Sequence, residues 1–240
     1  MISFIVPAFN EERLLATTLE ALHQAGRDCG LPYELIVADD ASTDATPDIA
    51  ARLGARVVRV AHRQIAATRN SGARIAQGDY LIFVDADTVV GSAVVRAALA
   101  AMREGGAVGG GAAVSFEGTL PRYARLLVPA LAWGYRAARL AAGCFLFCTR
   151  EAYAAVGGFD ETYFGAEEIV MSGALKRHGR FVVLAQTVST SGRNLRAYSG
   201  RELLWISAGI AWRGRKGIRQ RRGMDIWYTQ ERRADPEHEP

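Results

Sequence analysis

The amino-acid sequence predicts an α/β fold, a doubly wound and mostly parallel sheet with helices on its faces, and three observations carry that prediction. Short β-branched runs alternate with longer segments of helical period from Ile2 to Val84. One of those runs, Tyr80 to Val84, is apolar throughout, as strands covered on both faces are. Polar clusters follow three of the runs, at the carboxyl ends where open α/β sheets bind ligands.

In chain order, Ile2 to Val6 reads as a strand, Glu11 to Ala25 as a helix, Tyr33 to Ala38 as a strand, Thr46 to Leu53 as a helix and Arg56 to Val60 as a third strand. Ile65 to Ala76 has good helix formers and stops at Gln77-Gly78, and the Tyr80 run is the next strand. Beyond it the pattern loosens into a Gly-rich strand near Gly106 to Phe116, a helix from about Leu120 to Leu140, a strand at Phe145 to Thr149 and a helical run from Ile169 to His178. A chain of 240 residues with 50% hydrophobic content fits one compact domain. We place it at 1–195, in two halves of 1–90 and 91–195, followed by a basic helical extension and tail over 196–240.

Charged residues make up 22% and apolar ones are spread along the chain, which excludes a disordered protein and a polytopic membrane protein. Met1 to Pro7 has no basic leader and no small-residue cleavage site, so a cytoplasmic location is expected. Cys29, Cys144 and Cys148 are expected to be free thiols, because no second Cys/His pair accompanies Cys144 and Cys148 to complete a metal site. The net charge of +4 is concentrated: residues 193–222 hold nine basic side chains against one acid, Glu202.

The chemistry-bearing residues sit at the strand ends. Asp85 and Asp87 are two apart after an apolar strand, so alternation would aim both carboxylates to one side as hard oxygen ligands for Mg²⁺ or Mn²⁺. Asp39 and Asp40 end the second strand; Asp40 could accept a hydrogen bond from a nucleobase, while Ser42 or Asp44 caps the next helix. Arg69 heads a helix ahead of the Asp-x-Asp, where it could pair with phosphate or stack on a base. Glu167 and Glu168 precede a helical run and could either complement its dipole or act chemically.

The order Val6-Pro7-Ala8-Phe9-Asn10-Glu11-Glu12, Val37-Ala38-Asp39-Asp40-Ala41-Ser42-Thr43-Asp44, Arg69-Asn70, Gly78-Asp79-Tyr80 and Asp85-Ala86-Asp87 resembles the family 2 glycosyltransferases of the Rossmann-like GT-A fold. Gly157-Gly158-Phe159-Asp160-Glu161 and Glu167-Glu168 resemble that family's acceptor-side signature. The resemblance implies a nucleotide-binding first half and an acceptor-binding second half. Pro7, Ala8, Phe9 and Glu11 would cradle the nucleoside, Asp40 would read the base, and Ala86 and Arg69 would lie near the donor. Asp85 would sit near ribose and metal, Asp87 would be the direct metal ligand, and Glu168 would be the general base where the family usually has Asp. It implies inverting, metal-dependent transfer of a single sugar, since the Gln-x-x-Arg-Trp motif and membrane helices of the processive synthases are lacking. UDP is preferred over GDP as the donor nucleotide, and no nucleic-acid partner is expected.

Rival readings fare worse. A dinucleotide-binding oxidoreductase needs a Gly-x-Gly-x-x-Gly turn where Pro7-Ala8-Phe9-Asn10 stands. A sugar nucleotidyltransferase would open on a Gly-rich phosphate loop, and a phospho-acceptor domain would carry its acid pair after the first strand. A catalytically weak nucleotide-sugar-binding module or membrane-associated scaffold of the same fold is the alternative, motivated by Glu at position 168. In the tail, Leu203 to Trp212 is ten uncharged residues, too short for the roughly 20 that span a bilayer. Residues 196–225 are therefore expected to pack on the domain, form a homodimer or make peripheral membrane contact.

Overall fold

The computed structural model describes residues 1–197 together with Glu202 and Arg219. The chain runs β1 (Ile2–Ala8), α1 (Leu15–Asp28), β2 (Tyr33–Asp40), α2 (Thr46–Arg52), β3 (Arg56–Val60), α3 (Ile65–Ile75), β4 (Tyr80–Val84), β5 (Thr88–Val89) and α4 (Ser92–Arg103). It continues through β6 (Ala107–Glu117), α5 (Arg122–Ala137), β7 (Phe145–Thr149), α6 (Arg150–Val156), α7 (Glu167–His178), β8 (Arg180–Ser191) and α8 (Arg193–Ala197). The strands described form one sheet in the order β3-β2-β1-β4-β7-β6-β8-β5.

Strands β3, β2, β1 and β4 are parallel to one another. Strand β7 then runs antiparallel to both β4 and β6, and β6 pairs in parallel with β8. The sheet is thus continuous across residue 90. Strict alternation divides its side chains between two cores, the reason a chain of this composition makes layers. Phe4, Val6, Ile82, Val84, Phe145 and Phe147 face α1, α2 and α4, whereas Ile5, Leu81, Phe83, Leu146 and Cys148 face α3, α6 and α7.

Two glycines decide how closely the layers approach. A Cβ at Gly72 would lie 2.6 Å from Ile5 Cγ2, so α3 can rest on β1 only without a side chain there. A Cβ at Gly110 would meet Val182 O at 2.3 Å and the Phe147 ring at 2.4 Å, which accounts for the glycine run in β6.

The sequence reading passes over α4, α6 and β8, and starts the first helix too early. Helix α1 begins at Leu15, after a turn in which Leu14 N and Leu15 N donate to Glu11 O. The backbone N–H groups of Asn10, Glu11 and Glu12, which precede any helical acceptor, are taken by Ser42 Oγ, Thr46 Oγ1 and Asp44 Oδ2. Ser42 consequently binds the first loop instead of capping α2, while Asp44 Oδ1 also accepts from Thr46 N at 3.0 Å. All three cysteines are free. No helix among the described residues is long and apolar enough to cross a membrane. Most of the 196–225 segment lies outside the described residues, so its packing, dimer and membrane alternatives do too.

Candidate active site

The carboxyl ends of β1, β2 and β4 open on one edge of the sheet. At β1, Ala8 is buried, and Phe9 follows with the Arg63 guanidinium 3.5 Å from its ring centroid. Asn10, Ala41 and Arg63 all have left-handed backbone (φ 51°, 60° and 51°), a costly conformation for side chains that carry a Cβ. Such strain at three adjoining strand ends marks loops held in place by their contacts.

Asp40 is buried and its carboxylate is heavily used. Oδ1 accepts from Arg63 N at 2.8 Å, and Oδ2 accepts from Gln64 N at 3.1 Å and from Thr68 Oγ1 at 2.9 Å. It therefore fixes the entry to α3. Gln64 in turn donates to the carbonyls of Glu161 and Tyr163, tying that entry to the loop before α7.

The Asp-x-Asp pair departs from strand geometry. Strand β4 ends at Val84, and Asp85-Ala86-Asp87 forms a turn in which Thr88 N donates to Asp85 O at 3.1 Å and Asp85 N donates to Cys144 O at 3.1 Å. A tight turn, and not alternation along a strand, brings the two carboxylates together. Ala86 between them is buried, with its carbonyl accepting from Thr18 Oγ1.

Arg69 is the centre of the site. It lies within α3, not at its start, and is 2% exposed. Its Nη1 donates to Glu167 Oε1 at 2.7 Å, and its Nη2 donates to Asp85 Oδ1 at 2.7 Å and to Gly143 O at 2.8 Å. Burial works against this charge, but Asp85 and Glu167 hold its pKa above the ordinary guanidinium value. Next to it Asn70 bonds both Phe159 N and Phe159 O, pinning the Gly157-Gly158-Phe159 loop to the same helix.

A second guanidinium arrives from much further along the chain. Arg193 donates to Glu11 Oε2 at 2.8 Å and Oε1 at 2.6 Å, and its Nη2 lies 3.0 Å from Asp87 Oδ2. Sequence reasoning counted Arg193 only as one of a basic run. No local signal separates it from its neighbours; only the return of β8 beside β5 delivers it.

Glu168 stands in the first turn of α7, and its carboxylate packs beside Gly143, where a Cβ would meet it at 3.6 to 3.8 Å. Burial, and then the neighbouring Glu167, push its pKa up to about 8. Asp85 is pushed up to about 6 by burial despite Arg69, with Asp87 adding to the rise. Burial also pushes Glu11 upward against the pull of Arg193. Tyr135 of α5 shares this space, since burial and then Glu168 and Glu167 raise its hydroxyl to about 12.

Glu11, Asp85, Asp87, Glu167 and Glu168 thus stand against Arg69 and Arg193, a surplus of three negative charges when all are ionised. A phosphate-bearing ligand would enter such a site only with added positive charge, and Asp85 and Asp87 present the hard oxygens that a small divalent cation takes. These residues fit Mg²⁺ or Mn²⁺. Among the described residues no three His, Cys, Asp or Glu converge as a self-sufficient cage, so water and ligand oxygens would have to complete the shell.

The profile described as "Glycosyl transferase family 2" matches residues 3–154. The chain belongs to that family. Its fold is GT-A. It is similar to mannosyltransferase PcManGT from Pyrobaculum calidifontis, solved with GDP-Man and Mn²⁺, at a TM-score of 0.66 and 20% identity over 87% of this chain and 60% of that one. It is also similar to glucosyl-3-phosphoglycerate synthase from Mycobacterium tuberculosis, solved with Mn²⁺, UDP and glucosyl-3-phosphoglycerate, at a TM-score of 0.58 and 21% identity over 91% and 80% of the two chains. In sequence it is 32% identical over 109 residues to validoxylamine A glucosyltransferase of Streptomyces hygroscopicus subsp. limoneus, covering 42% of this chain and 23% of the relative. The match spans about a quarter of the first curated relatives' own lengths.

Proposed function

We propose that this protein transfers one sugar from a nucleoside-diphosphate sugar, UDP-linked ahead of GDP-linked, to an acceptor hydroxyl with inversion at the anomeric carbon. The observation that carries this reading is the Arg69 bridge. One buried guanidinium joins Asp85, on the donor side, to Glu167, which adjoins the raised carboxyl of Glu168. Donor and acceptor chemistry are thereby held in one rigid frame, as a displacement that depends on alignment requires. Family membership and the nucleotide complexes of the GT-A neighbours support the same reading.

Asp85 and Asp87 would hold the Mg²⁺ or Mn²⁺ ion. When bound, the ion would neutralise negative charge on the diphosphate leaving group. Pro7, Ala8, Phe9 and Glu11 shape the nucleoside side. Asp40 Oδ1, with a single donor among the described residues, keeps acceptor capacity for a base imide N–H. Glu168, poised near neutral pH by its surroundings, takes the proton of the acceptor hydroxyl as that oxygen attacks. Inversion needs that one base and no covalent intermediate. The GT-A unit is assigned to residues 1–195 and a separate extension to 196–240, with a cytoplasmic location.

The test is thermal-shift and calorimetric titration with UDP, GDP and their sugars, with and without Mn²⁺. UDP with Mn²⁺ should raise the melting temperature, and Asp87→Ala should abolish the metal-dependent part while leaving the fold intact. Tight metal-dependent binding by Asp87→Ala would refute the metal assignment. Donor binding without hydrolysis or transfer on any acceptor would favour the binding-module alternative.

A further inference from the structure

Helix α5 carries a surface that the transfer reaction does not use. Among the described residues the exposed large hydrophobic side chains are Leu127, at 42%, and Trp133, at 73%, and both belong to this helix. Arg122, Arg125, Pro129, Trp133 and Arg136 are exposed and follow a spacing of three and four, which gathers them on one helical face. The opposite face is committed to the protein. Ala124 is fully buried, Tyr123 donates to Leu195 O at 2.6 Å, and Tyr135 reaches the space around Glu168.

Charge says what the outer face fits. Between Glu117 and Glu151 the chain has five arginines, at 122, 125, 136, 139 and 150, and no acid. Arg136 and Arg139 also line, with Arg180 and the Phe181–Val183 strand, a hollow of about 320 Å³. Lys176 is anchored beside it by donation to Ala138 O. An exposed tryptophan framed by guanidiniums, on a helix without carboxylates of its own, matches the headgroup layer of an anionic bilayer. There an indole sits at the interface and basic side chains meet lipid phosphates. A protein partner of mixed charge would be expected to meet acidic side chains on this face, and α5 has none.

We propose that α5 is a membrane-surface helix that seats the protein on anionic lipid through Trp133 and the arginines at 122, 125 and 136. Its inner face walls the space around Glu168, so the seated protein would hold its acceptor side toward the bilayer. The seating stands independently of the transfer chemistry assigned above.

The experiment is co-sedimentation of the full chain with vesicles of phosphatidylcholine alone and of phosphatidylcholine mixed with phosphatidylglycerol, at low and high salt. Wild type should bind only the mixed vesicles, and high salt should weaken that binding. Arg122→Gln with Arg125→Gln should lower the partition coefficient by about fivefold for each arginine removed. Trp133→Ser should lower it further, and Arg213→Gln with Arg215→Gln in the tail should leave most of it. UDP and Mn²⁺ binding is measured on the same preparations; it should be unchanged, which shows each variant folded and separates failure of the seating from failure of the donor assignment. Wild type that binds neither vesicle overturns the proposal, as does binding that survives the α5 substitutions and falls with the tail pair. Self-association of wild type that Trp133→Ser abolishes would also overturn it, assigning the face to a second copy of the chain.

Discussion

The half built on β1 to β4 and the half built on β6 to β8 reach the same site by different means. In the first half the candidate residues lie at or just past strand ends, apart from Arg69 on α3. The alternation of strand and helix that writes the fold also places the chemistry. In the second half the strands mix directions, and Glu167, Glu168 and Arg193 come from a helix start and from two residues past a long returning strand. The first half is therefore a scaffold with residues attached, and the second is a set of charges whose positions depend on one another. The Arg69 bridge and the Arg193 fork are where the halves are joined.

The largest effect is expected from Glu168→Gln, which removes the second half's base without changing shape. Transfer should fall by roughly 10²- to 10⁴-fold while donor affinity holds. Unchanged turnover would move the base elsewhere and leave the second half without a catalytic group. In the intact protein the same carboxyl must be ionised to act. Since its pKa is raised from 4.5 to about 8, kcat/KM should climb with pH through a limb near 8, well above an ordinary glutamate. A limb near 4.5 would show that Glu168 is not the titrating group.

Arg69→Ala breaks the joint itself and leaves the Glu167 carboxylate buried beside Asp85 without its counter-ion. Loss of one member of a buried pair typically costs about 3–5 kcal/mol, which a shift in the urea midpoint would register. Arg69→Lys should recover only part, because one ammonium cannot reach both carboxylates and the Gly143 carbonyl with the guanidinium's planar fork. A fully stable Arg69→Ala protein would mean that the sheet and the Arg193 fork suffice to hold the halves.

Gly72→Ala tests the scaffold half and should have the smallest effect. The added methyl would press on Ile5, and overpacking of this kind costs about 1–3 kcal/mol. Because Arg69 lies one turn away on the same helix, donor binding should weaken with stability. If stability falls and binding does not, the position of α3 and the geometry of the bridge are separable.

Much of the first half could be read directly from residues. The apolar run at Tyr80, the Gln77-Gly78 stop and the carboxylates after β2 and β4 are local signals, and local signals survive because a parallel strand must be apolar wherever it is covered on both faces. The second half resisted. Helix α4, with Val94, Val95, Ala98, Leu99 and Met102 at helical spacing, and the β-branched run at the start of β8 were legible but passed over, and the strand alternation used to pair Asp85 with Asp87 is replaced by the turn after Val84.

The layered α/β fold, the family and the candidate carboxylates follow from periodicity and from motifs in order, both written along the chain. Which charges meet was settled only in three dimensions. Arg69 turned inward to two carboxylates, Asp40 was committed to the start of α3, and Arg193 was brought back to Glu11 across 182 positions of chain. The physical reason is that hydrophobic pattern is a property of neighbours in sequence, whereas electrostatic partnership depends on distance in space. That distance is set only when the whole sheet has closed.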